Sequence, residues 1–360
     1  MITKRLLYIL SLAFLFAACD NSADSNFDIY QWEESTAVDQ GIQADKLEAA
    51  FSRAEMIGSI DGLVIVKNGY LIREAYYNGY SETRDHNVYS VSKSFLSAIA
   101  GIAIEQGYLT LEDKMMDYFP EYVYDGIDPR KYDVTVEHLL TMRMGIEGES
   151  TNNYSVYNHF YYTSDWIKAA IEAPLQSDPG ERMLYNTFET HLLSAIINKA
   201  TGRSIRDFAQ EFLFNPMGIS LGDWQSQNGY HFGGNTMHFT PKEMAVLGQL
   251  YLNKGRINDI QIIPESWVDL TTSPSTAWGQ QVWGQFHDYN YGYLWWVGKI
   301  NFVNCYMALG YGGQYIIVFP EMNLIVAATS QVAQEPEIAG QNELAVINLV
   351  AQYVLPAVTR

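Results

Sequence analysis

Ser90 and Lys93 are the two residues of this chain whose types and spacing most directly suggest chemistry. They lie three positions apart in YSVSKSF (89–95), ahead of an apolar run over 95–104 that predicts a buried helix. A lysine in the first turn is unfavourable, because the N-terminal end of a helix carries partial positive charge. At this spacing, however, the amine can reach the hydroxyl. The pair therefore predicts a serine nucleophile activated by a lysine whose pKa burial has lowered.

The same spacing has a purely structural alternative. A chain of this length contains about one S-x-x-K match by chance. Ser90 would then cap the helix, and Lys93 would extend to solvent. Under the catalytic interpretation, the turn also presents the backbone N–H of Ser90 as one donor of an oxyanion hole.

The elements that must position this pair are predicted to form a sheet from both ends of the chain. Asn68-Gly69 separates two β-rich runs and indicates a hairpin, and strands return at 314–319 and 324–330. Residues 110–270 are mainly helices and loops. Helices are predicted at 45–57, 136–142, 191–200, 241–253 and 342–355. We therefore expect an α/β fold with one antiparallel sheet, flanking helices and an inserted, mainly helical subdomain over roughly 110–270.

The N-terminus has the pattern of a secretion signal. Lys4 and Arg5 precede a short apolar run that ends at Ala17-Ala18-Cys19. Cys19 directly after the cleavage site resembles the lipobox of bacterial lipoproteins, whose cysteine is lipidated. The alternative is an ordinary signal peptide with an incidental cysteine. We expect a signal peptide over 1–18, a polar tether over 19–30 and a folded domain over 31–360. The protein would then be lipid-anchored in the bacterial cell envelope, on the periplasmic or cell-surface side.

The net charge and the motif content limit which partners, metals and cofactors the protein is expected to bind. The formal net charge is −19 and becomes −21 once residues 1–18 are removed, since they hold two cations and no acid. Such a surface repels nucleic acid. With Cys19 lipidated, Cys305 is the remaining cysteine, so we expect no internal disulfide. The sequence contains no H-E-x-x-H, paired-cysteine zinc spacing, phosphate-binding glycine loop or G-x-S-x-G, so we expect neither a metal nor a cofactor.

Longer stretches of the chain resemble a known family. HNVYSVSKSFLSAIAGIAIEQG, DPGERMLYNTFETHLLSAIINKATG and GYGGQYIIVFPEMNLIVAATS are similar to the serine beta-lactamase-related hydrolases of the class C type. That family includes penicillin-binding proteins, esterases and 6-aminohexanoate-dimer hydrolases. The similarity extends over about residues 31–355 in the family's own order. It implies a beta-lactamase-like fold, with the active site between the sheet and the helical subdomain.

The family's second motif, Tyr-x-Asn with Ser or Thr also accepted in third place, falls on Tyr185-Asn186-Thr187. The same pattern begins at Tyr76, which ends a hairpin strand, and at Tyr251, which lies on an amphipathic helix. Both of those are interpreted as structural. The resemblance implies that Tyr185 handles protons together with Lys93, and that Thr187 contacts the substrate.

The family's third motif, Lys-Thr-Gly, corresponds here to Tyr311-Gly312-Gly313 before the strand that begins at Gln314. The resemblance implies that these three residues contact the substrate and that the Gln314 backbone N–H is the second oxyanion donor. The alternative is a glycine-rich strand entry with no further role. In lactamases and D,D-peptidases the lysine attracts the substrate carboxylate, which a neutral Tyr311 cannot do as a charge. This departure favours esters, or amides without that carboxylate.

Two aromatic clusters, at 154–162 and 283–296, either pack internally or line the cleft. Trp295 and Trp296 are the first candidates for contact with the substrate. We expect a serine hydrolase that acts through an acyl-enzyme on a small-molecule or short-peptide ester or amide. The alternatives are a D,D-peptidase or beta-lactamase acting on cell-wall peptides or β-lactams, and a non-catalytic sensor on the same fold.

Overall fold

A nine-stranded sheet forms the centre of the computed structural model, which describes residues 30–149, 162–276 and 282–359. The predicted signal peptide, Cys19, residues 20–29 and positions 154–161 of the first aromatic cluster lie outside these ranges. The strands are β1 (Glu33–Glu34), β2 (Ile60–Lys67), β3 (Tyr70–Tyr76), β4 (Val282–Trp283), β5 (Phe286–Tyr291), β6 (Trp296–Ile300), β7 (Val303–Gly310), β8 (Gln314–Phe319) and β9 (Leu324–Ser330). Their order across the sheet is β1-β3-β2-β9-β8-β7-β6-β5-β4.

The expected sheet from both chain ends is confirmed. β9 pairs with β2 in antiparallel register, with Ala328 opposite Leu63, and joins the C-terminal strands to the N-terminal hairpin. At the tip of that hairpin Asn68 has φ 54° and Gly69 has φ 85°. Two central residues with positive φ give a turn whose twist matches that of the strands. The β1–β3 pair is parallel, and the other neighbouring pairs are antiparallel.

Helices cover both faces of the sheet. They are α1 (Ala44–Ile57), α2 (Val91–Glu105), α3 (Val136–Leu140), α4 (Trp166–Glu172), α5 (Thr187–Thr201), α6 (Ile205–Ala209), α7 (Pro241–Leu252), α8 (Glu265–Thr271) and α9 (Pro336–Leu349). Side chains alternate along β2, so Leu63 and Ile65 pack in the core with α1 and α9, while Val64 and Val66 pack in the core with α2. The helix that begins after Ser90 therefore lies buried against the sheet.

Shorter elements complete the described chain. Three small ladders pair His86–Asn87 with His238–Phe239, Ser226–Gln227 with Tyr230–His231, and Arg256–Ile257 with Ile260–Gln261. Single turns of 3-10 helix occur at Met115–Tyr118, Pro120–Tyr122, Pro129–Asp133, Pro320–Met322 and Leu355–Ala357, and π turns at Gln210–Phe214 and Val350–Val354. None of the helices in the described ranges is long and apolar enough to cross a membrane.

Two helices differ from their predicted bounds at the N-terminal end. α5 begins at Thr187 and not at His191, because the Asn186 side chain accepts a hydrogen bond from the Phe188 N–H and caps the helix there. α9 begins at Pro336 and not at Asn342, since proline at the first helical position sets the backbone for a helix without losing a needed N–H. The first of these shifts places Thr187 on the first turn of α5.

Candidate active site

The chain turns sharply immediately before Ser90. Tyr89 has φ 47°, in the left-handed region that a bulky side chain rarely adopts, and its N–H donates to Asn87 Oδ1 at 2.9 Å. Gly310, at the end of β7, packs on the same segment: a Cβ there would lie 2.3 Å from the Val88 carbonyl oxygen. Only glycine permits this approach. The turn that follows β7 is thereby held beside Ser90.

Lys93 points inward and is 1% exposed. Its Nζ donates to Ser90 Oγ at 2.8 Å, to Thr187 Oγ1 at 3.0 Å and to the Gly234 carbonyl oxygen at 2.8 Å. The hydroxyl of Ser90 makes no capping hydrogen bond to the first turn of α2. The structural alternative is therefore wrong on both points, since Ser90 does not cap the helix by its side chain and Lys93 does not extend to solvent.

Burial controls the charge on Lys93. It lowers the pKa of the amine to about 7, and the nearby Glu149 carboxylate acts in the opposite direction. Near neutral pH a substantial fraction of Lys93 is then the free amine, which can accept a proton from Ser90. The position that opposes helix stability thus supplies a base next to a hydroxyl.

Gly234 supplies the third acceptor for Lys93 because it fits tightly over α5. A Cβ at this position would lie 2.4 Å from Thr190 Oγ1 and 2.6 Å from Thr187 Cγ2. The Gly234 N–H donates to His191 Nδ1 at 3.2 Å. Burial lowers the pKa of His191 well below its ordinary value, so this ring is neutral and can accept.

Tyr185 lies against the same amine. Lys93 Nζ is 5.0 Å from the centre of its ring, which also stacks on Trp296 at 5.9 Å and meets the edge of Tyr291 at 6.1 Å. Burial raises the pKa of Tyr185 above its usual range, and a side-chain hydrogen bond with Ser90 opposes that rise. The phenol therefore stays protonated at neutral pH, which suits a proton donor better than a resting base.

Thr187 belongs to the site, but not as a surface that substrate can touch. It is 3% exposed, and its hydroxyl accepts from Lys93 and donates to Glu149 Oε2 at 3.0 Å. The expectation that Thr187 contacts the substrate is corrected, because both hydrogen-bonding directions of its hydroxyl are occupied within the protein.

The two adjacent tryptophans lie in different surroundings. Trp295 is fully buried, with ring centres 4.5 Å from Tyr251 and 5.5 Å from Tyr306. It belongs to the core between α7 and the sheet, so its predicted contact with the substrate is corrected. Trp296, the next residue, is half-buried and stacks on Tyr185 instead.

The third motif forms the turn between β7 and β8. Gly312 and Gly313 have φ 81° and 103°, which L side chains rarely adopt, and the ring of Tyr311 lies 5.7 Å from that of Tyr89. The Gly312 N–H donates to Glu343 Oε1 at 2.9 Å. The motif is therefore beside Ser90, as the resemblance implied, and its contact with substrate stays a prediction.

Gln314 opens β8 directly after this turn and is fully buried. Its side chain is fixed to the neighbouring strand, since Nε2 donates to the Ser330 carbonyl at 2.8 Å and Oε1 accepts from the Ser330 N–H at 3.1 Å. The position of its main chain at the start of the strand is thereby well determined. The role of its N–H as the second oxyanion donor stays a prediction.

Three groups at this site were not predicted from the sequence: Glu149, Gly234 and Glu343. Glu343 could have been found, because it falls on the buried face of α9 together with Ala339 and Val346. Glu149 and Gly234 follow no periodic pattern that would reveal them. Among the residues that the structure describes, no group of three or more His, Cys, Asp or Glu side chains could hold a metal ion.

Comparison with known proteins identifies the family. The sequence model of the beta-lactamase family matches residues 47–350. The chain belongs to the beta-lactamase family. This match contains Ser90, Lys93, Tyr185 and the turn between β7 and β8, and the sequence resemblance to this family is thereby confirmed.

Individual relatives of this beta-lactamase family member are distant. The 6-aminohexanoate-dimer hydrolase of Paenarthrobacter ureafaciens is 20% identical over 58% of this chain, and the match spans 56% of that relative. A solved structure of a candidate 6-aminohexanoate-dimer hydrolase from Bacillus anthracis is 21% identical, with a TM-score of 0.66 over 90% of this chain and 89% of that one. EstCE1, a hydrolase with promiscuous acyltransferase activity, is 17% identical, with a TM-score of 0.69 over 87% of this chain and all of that one. At these identities the structures show the shared fold.

Proposed function

We propose that this protein is a serine hydrolase that cleaves esters or amides through an acyl-enzyme, with Ser90 as nucleophile and Lys93 as its base. The observation that carries the proposal is the 2.8 Å hydrogen bond between Lys93 Nζ and Ser90 Oγ, made by a lysine that is 1% exposed. A buried amine with a pKa of about 7 can take the hydroxyl proton at neutral pH.

Ser90, Lys93 and Tyr185 are placed to carry out the acylation step. Ser90 Oγ forms a bond to the carbonyl carbon while its proton passes to the Lys93 amine, and the carbonyl electron pair moves onto oxygen. As the tetrahedral intermediate collapses, the bond to the leaving alcohol or amine breaks. The leaving group takes a proton from the Tyr185 hydroxyl, which Lys93 replenishes. The Ser90 and Gln314 backbone N–H groups are the proposed donors to the oxyanion.

Water completes the proposed cycle. It attacks the acyl carbon, gives a proton to the base formed by Lys93 and Tyr185, and releases the acid while the proton returns to Ser90 Oγ. The same groups act in both halves, as microscopic reversibility requires of general acid–base catalysis.

The residues around the third motif favour substrates without a carboxylate near the oxyanion site. Tyr311 provides a ring where carboxylate-binding relatives are expected to have a lysine. In the same turn, the Gly312 N–H donates to the buried Glu343 carboxyl. An anion placed here would meet no lysine at position 311, and the Glu343 carboxyl adds repulsion once it ionises as the pH rises through about 7. We therefore propose neutral esters or amides in preference to β-lactams.

The substrate class is tested by kcat/KM for a p-nitrophenyl ester of a short acid and for nitrocefin. We expect ready cleavage of the ester, poor or no cleavage of nitrocefin, and loss of both with Ser90→Ala in a protein that remains folded. Tyr311→Lys should move the ratio toward nitrocefin, because charge-assisted bonds to a carboxylate are about twice as strong as neutral ones. Nitrocefin cleavage as fast as ester cleavage in the wild type would contradict the preference and favour a lactamase or D,D-peptidase.

A further inference from the structure

Glu149 is bound to the second motif by main-chain and side-chain contacts. Its N–H donates to the Tyr185 carbonyl at 2.7 Å, and its Oε1 accepts the Thr187 N–H, also at 2.7 Å. Its Oε2 accepts the Thr187 hydroxyl at 3.0 Å. Two hydrogen bonds to the carboxylate and one from the main chain, all with residues 185–187, fix Glu149 in one place, so its position follows from the fold.

These contacts extend the hydrogen bonds of Lys93 into a chain. Ser90 Oγ accepts from Lys93 Nζ at 2.8 Å, Lys93 Nζ donates to Thr187 Oγ1 at 3.0 Å, and Thr187 Oγ1 donates to Glu149 Oε2 at 3.0 Å. Every link lies within hydrogen-bond distance, and from Lys93 through Thr187 the donors point toward Glu149. A hydroxyl between an amine and a carboxylate can accept a proton from one and pass its own to the other.

We propose that Glu149 is a positioning residue for the reaction, which sets the protonation state of Lys93 by exchanging a proton with it through the Thr187 hydroxyl. In the exchange, Lys93 ammonium gives one proton to Thr187 Oγ1 while Thr187 gives its own to Glu149 Oε2. The products are a Lys93 amine and a Glu149 carboxylic acid, and Thr187 is unchanged. No other reactant is needed. This inference rests on the proposed function, because it concerns the base that activates Ser90.

Four other titratable side chains lie near these hydrogen bonds: Tyr185, Glu189, His191 and Glu343. Burial raises the pKa of Tyr185 and lowers the pKa of His191, so neither carries a charge near pH 7, and burial also raises the pKa of Glu189. Glu343, on α9, acts electrostatically on Tyr185. Burial also raises the pKa of Glu149, while Lys93 lowers it. Glu149 is the carboxyl that acts electrostatically on Lys93 and is linked to it through Thr187, so the charge beside Lys93 is assigned to Glu149 from these contacts.

The test is the pH dependence of covalent labelling by a fluorophosphonate, followed as a pseudo-first-order rate from pH 5 to 9. The labelling rate should fall at low pH, where Lys93 becomes protonated, and this part of the profile is its acid limb. In Glu149→Gln the anion that favours Lys93 ammonium is gone, so the pKa of Lys93 falls and the acid limb should move to lower pH by about one unit. Glu147→Gln is the matched control, an exposed glutamate two residues away, and should leave the limb in place. A limb that stays in place, or moves to higher pH, in Glu149→Gln would overturn the proposal.

Substitutions at Thr187 test whether the proton passes through its hydroxyl, and a second Glu149 variant is used if Glu149→Gln does not fold. Thr187→Ser keeps a hydroxyl and should label within about threefold of the wild-type rate at pH 7, whereas Thr187→Val should label at least about tenfold more slowly. Equal rates for the two would contradict a path through the hydroxyl. If Glu149→Gln does not fold, Glu149→Asp replaces it. The shorter acid keeps the charge, so it should keep the wild-type acid limb while the plateau rate falls, and a limb displaced to lower pH would contradict the proposal.

The two proposals fail in different ways. If the wild type neither labels at Ser90 nor turns over an ester, the proposed function is wrong, and so is the proposed proton exchange between Lys93 and Glu149. If the wild type labels at Ser90 and the pH profile of labelling is unchanged in Glu149→Gln, only the proposed proton exchange with Glu149 is wrong, because the nucleophile and base then act without the carboxylate.

Discussion

Lys93 gives the clearest conflict between local stability and chemistry. The start of α2 disfavours a cation, and burial of an ammonium is costly. The residue persists inside the protein with three acceptors, which are Ser90 Oγ, Thr187 Oγ1 and the Gly234 carbonyl. A structural lysine would gain nothing from a position where burial depresses its pKa to about 7. A base for a serine needs that value.

The activity of the wild type should follow the free amine of Lys93. Because the base works in its neutral form and the Lys93 pKa is lowered to about 7, kcat/KM for an ester should fall as the pH drops below that value. Lys93→Met, which keeps the length of the side chain without an amine, should lose several orders of magnitude in kcat while its melting temperature stays comparable. Retention of more than about a tenth of the wild-type activity would rule out Lys93 as the general base.

Among the elements, α9 has an unexpected connection to the site. Its Glu343 is 6% exposed and holds the Gly312 N–H in the turn between β7 and β8, whose main chain precedes the proposed oxyanion donor Gln314. Burial raises the pKa of Glu343 to about 7, and the bond from Gly312 opposes that rise. The helix on one face of the sheet thus fixes a turn that adjoins Ser90.

This buried acid makes folding stability depend on pH in a defined direction. The folded-state pKa lies above the unfolded value, so its contribution is fully present below the unfolded pKa and is lost as pH rises through about 7. Between pH 5 and 8 the unfolding free energy of wild type, relative to Glu343→Gln, should fall by up to about 3 kcal/mol. Urea denaturation at both pH values measures this.

Glu337→Gln is the matched control for this prediction, since Glu337 is an exposed acid on the first turn of the same helix. Its unfolding free energy should follow that of the wild type across the same pH range. A Glu343→Gln variant that also tracks the wild type would show that the Glu343 carboxyl titrates normally, and that its burial does not hold the turn through a protonation-sensitive contact.

For the whole molecule, the hairpin and the last two strands could be predicted from local patterns, whereas strands β4 to β7 and part of the site were not predicted. Asn68-Gly69 and the apolar runs at 314–319 and 324–330 encode strands and turns within a few residues, and all appear as expected. The Lys93 contact to Gly234 joins residues 141 positions apart, and no local pattern encodes such a contact. Glu149 reaches Thr187 across 38 positions in the same way.

The resemblance to the family supplied what periodicity could not. It selected Tyr185 over the similar patterns at Tyr76 and Tyr251, and the structure places the Tyr185 ring 5.0 Å from Lys93 Nζ while Tyr251 is buried in the core. It misplaced Thr187, because a matched motif shows which residues are near a site and not which of their atoms remain free after packing. The expectation for Trp295 came from its aromatic cluster, which does not distinguish a ring in the core from a ring in the cleft.

The central claim is that Ser90 forms a covalent bond with an acylating reagent. Intact-mass measurement after treatment with a fluorophosphonate should show one adduct on the wild type, with peptide mapping at Ser90, and no adduct on Ser90→Ala. Ser52→Ala, at an exposed serine on α1, should label as the wild type does. A wild-type protein that stays unlabelled, or that carries its adduct at another residue, would contradict the assignment and favour a binding module on the same fold.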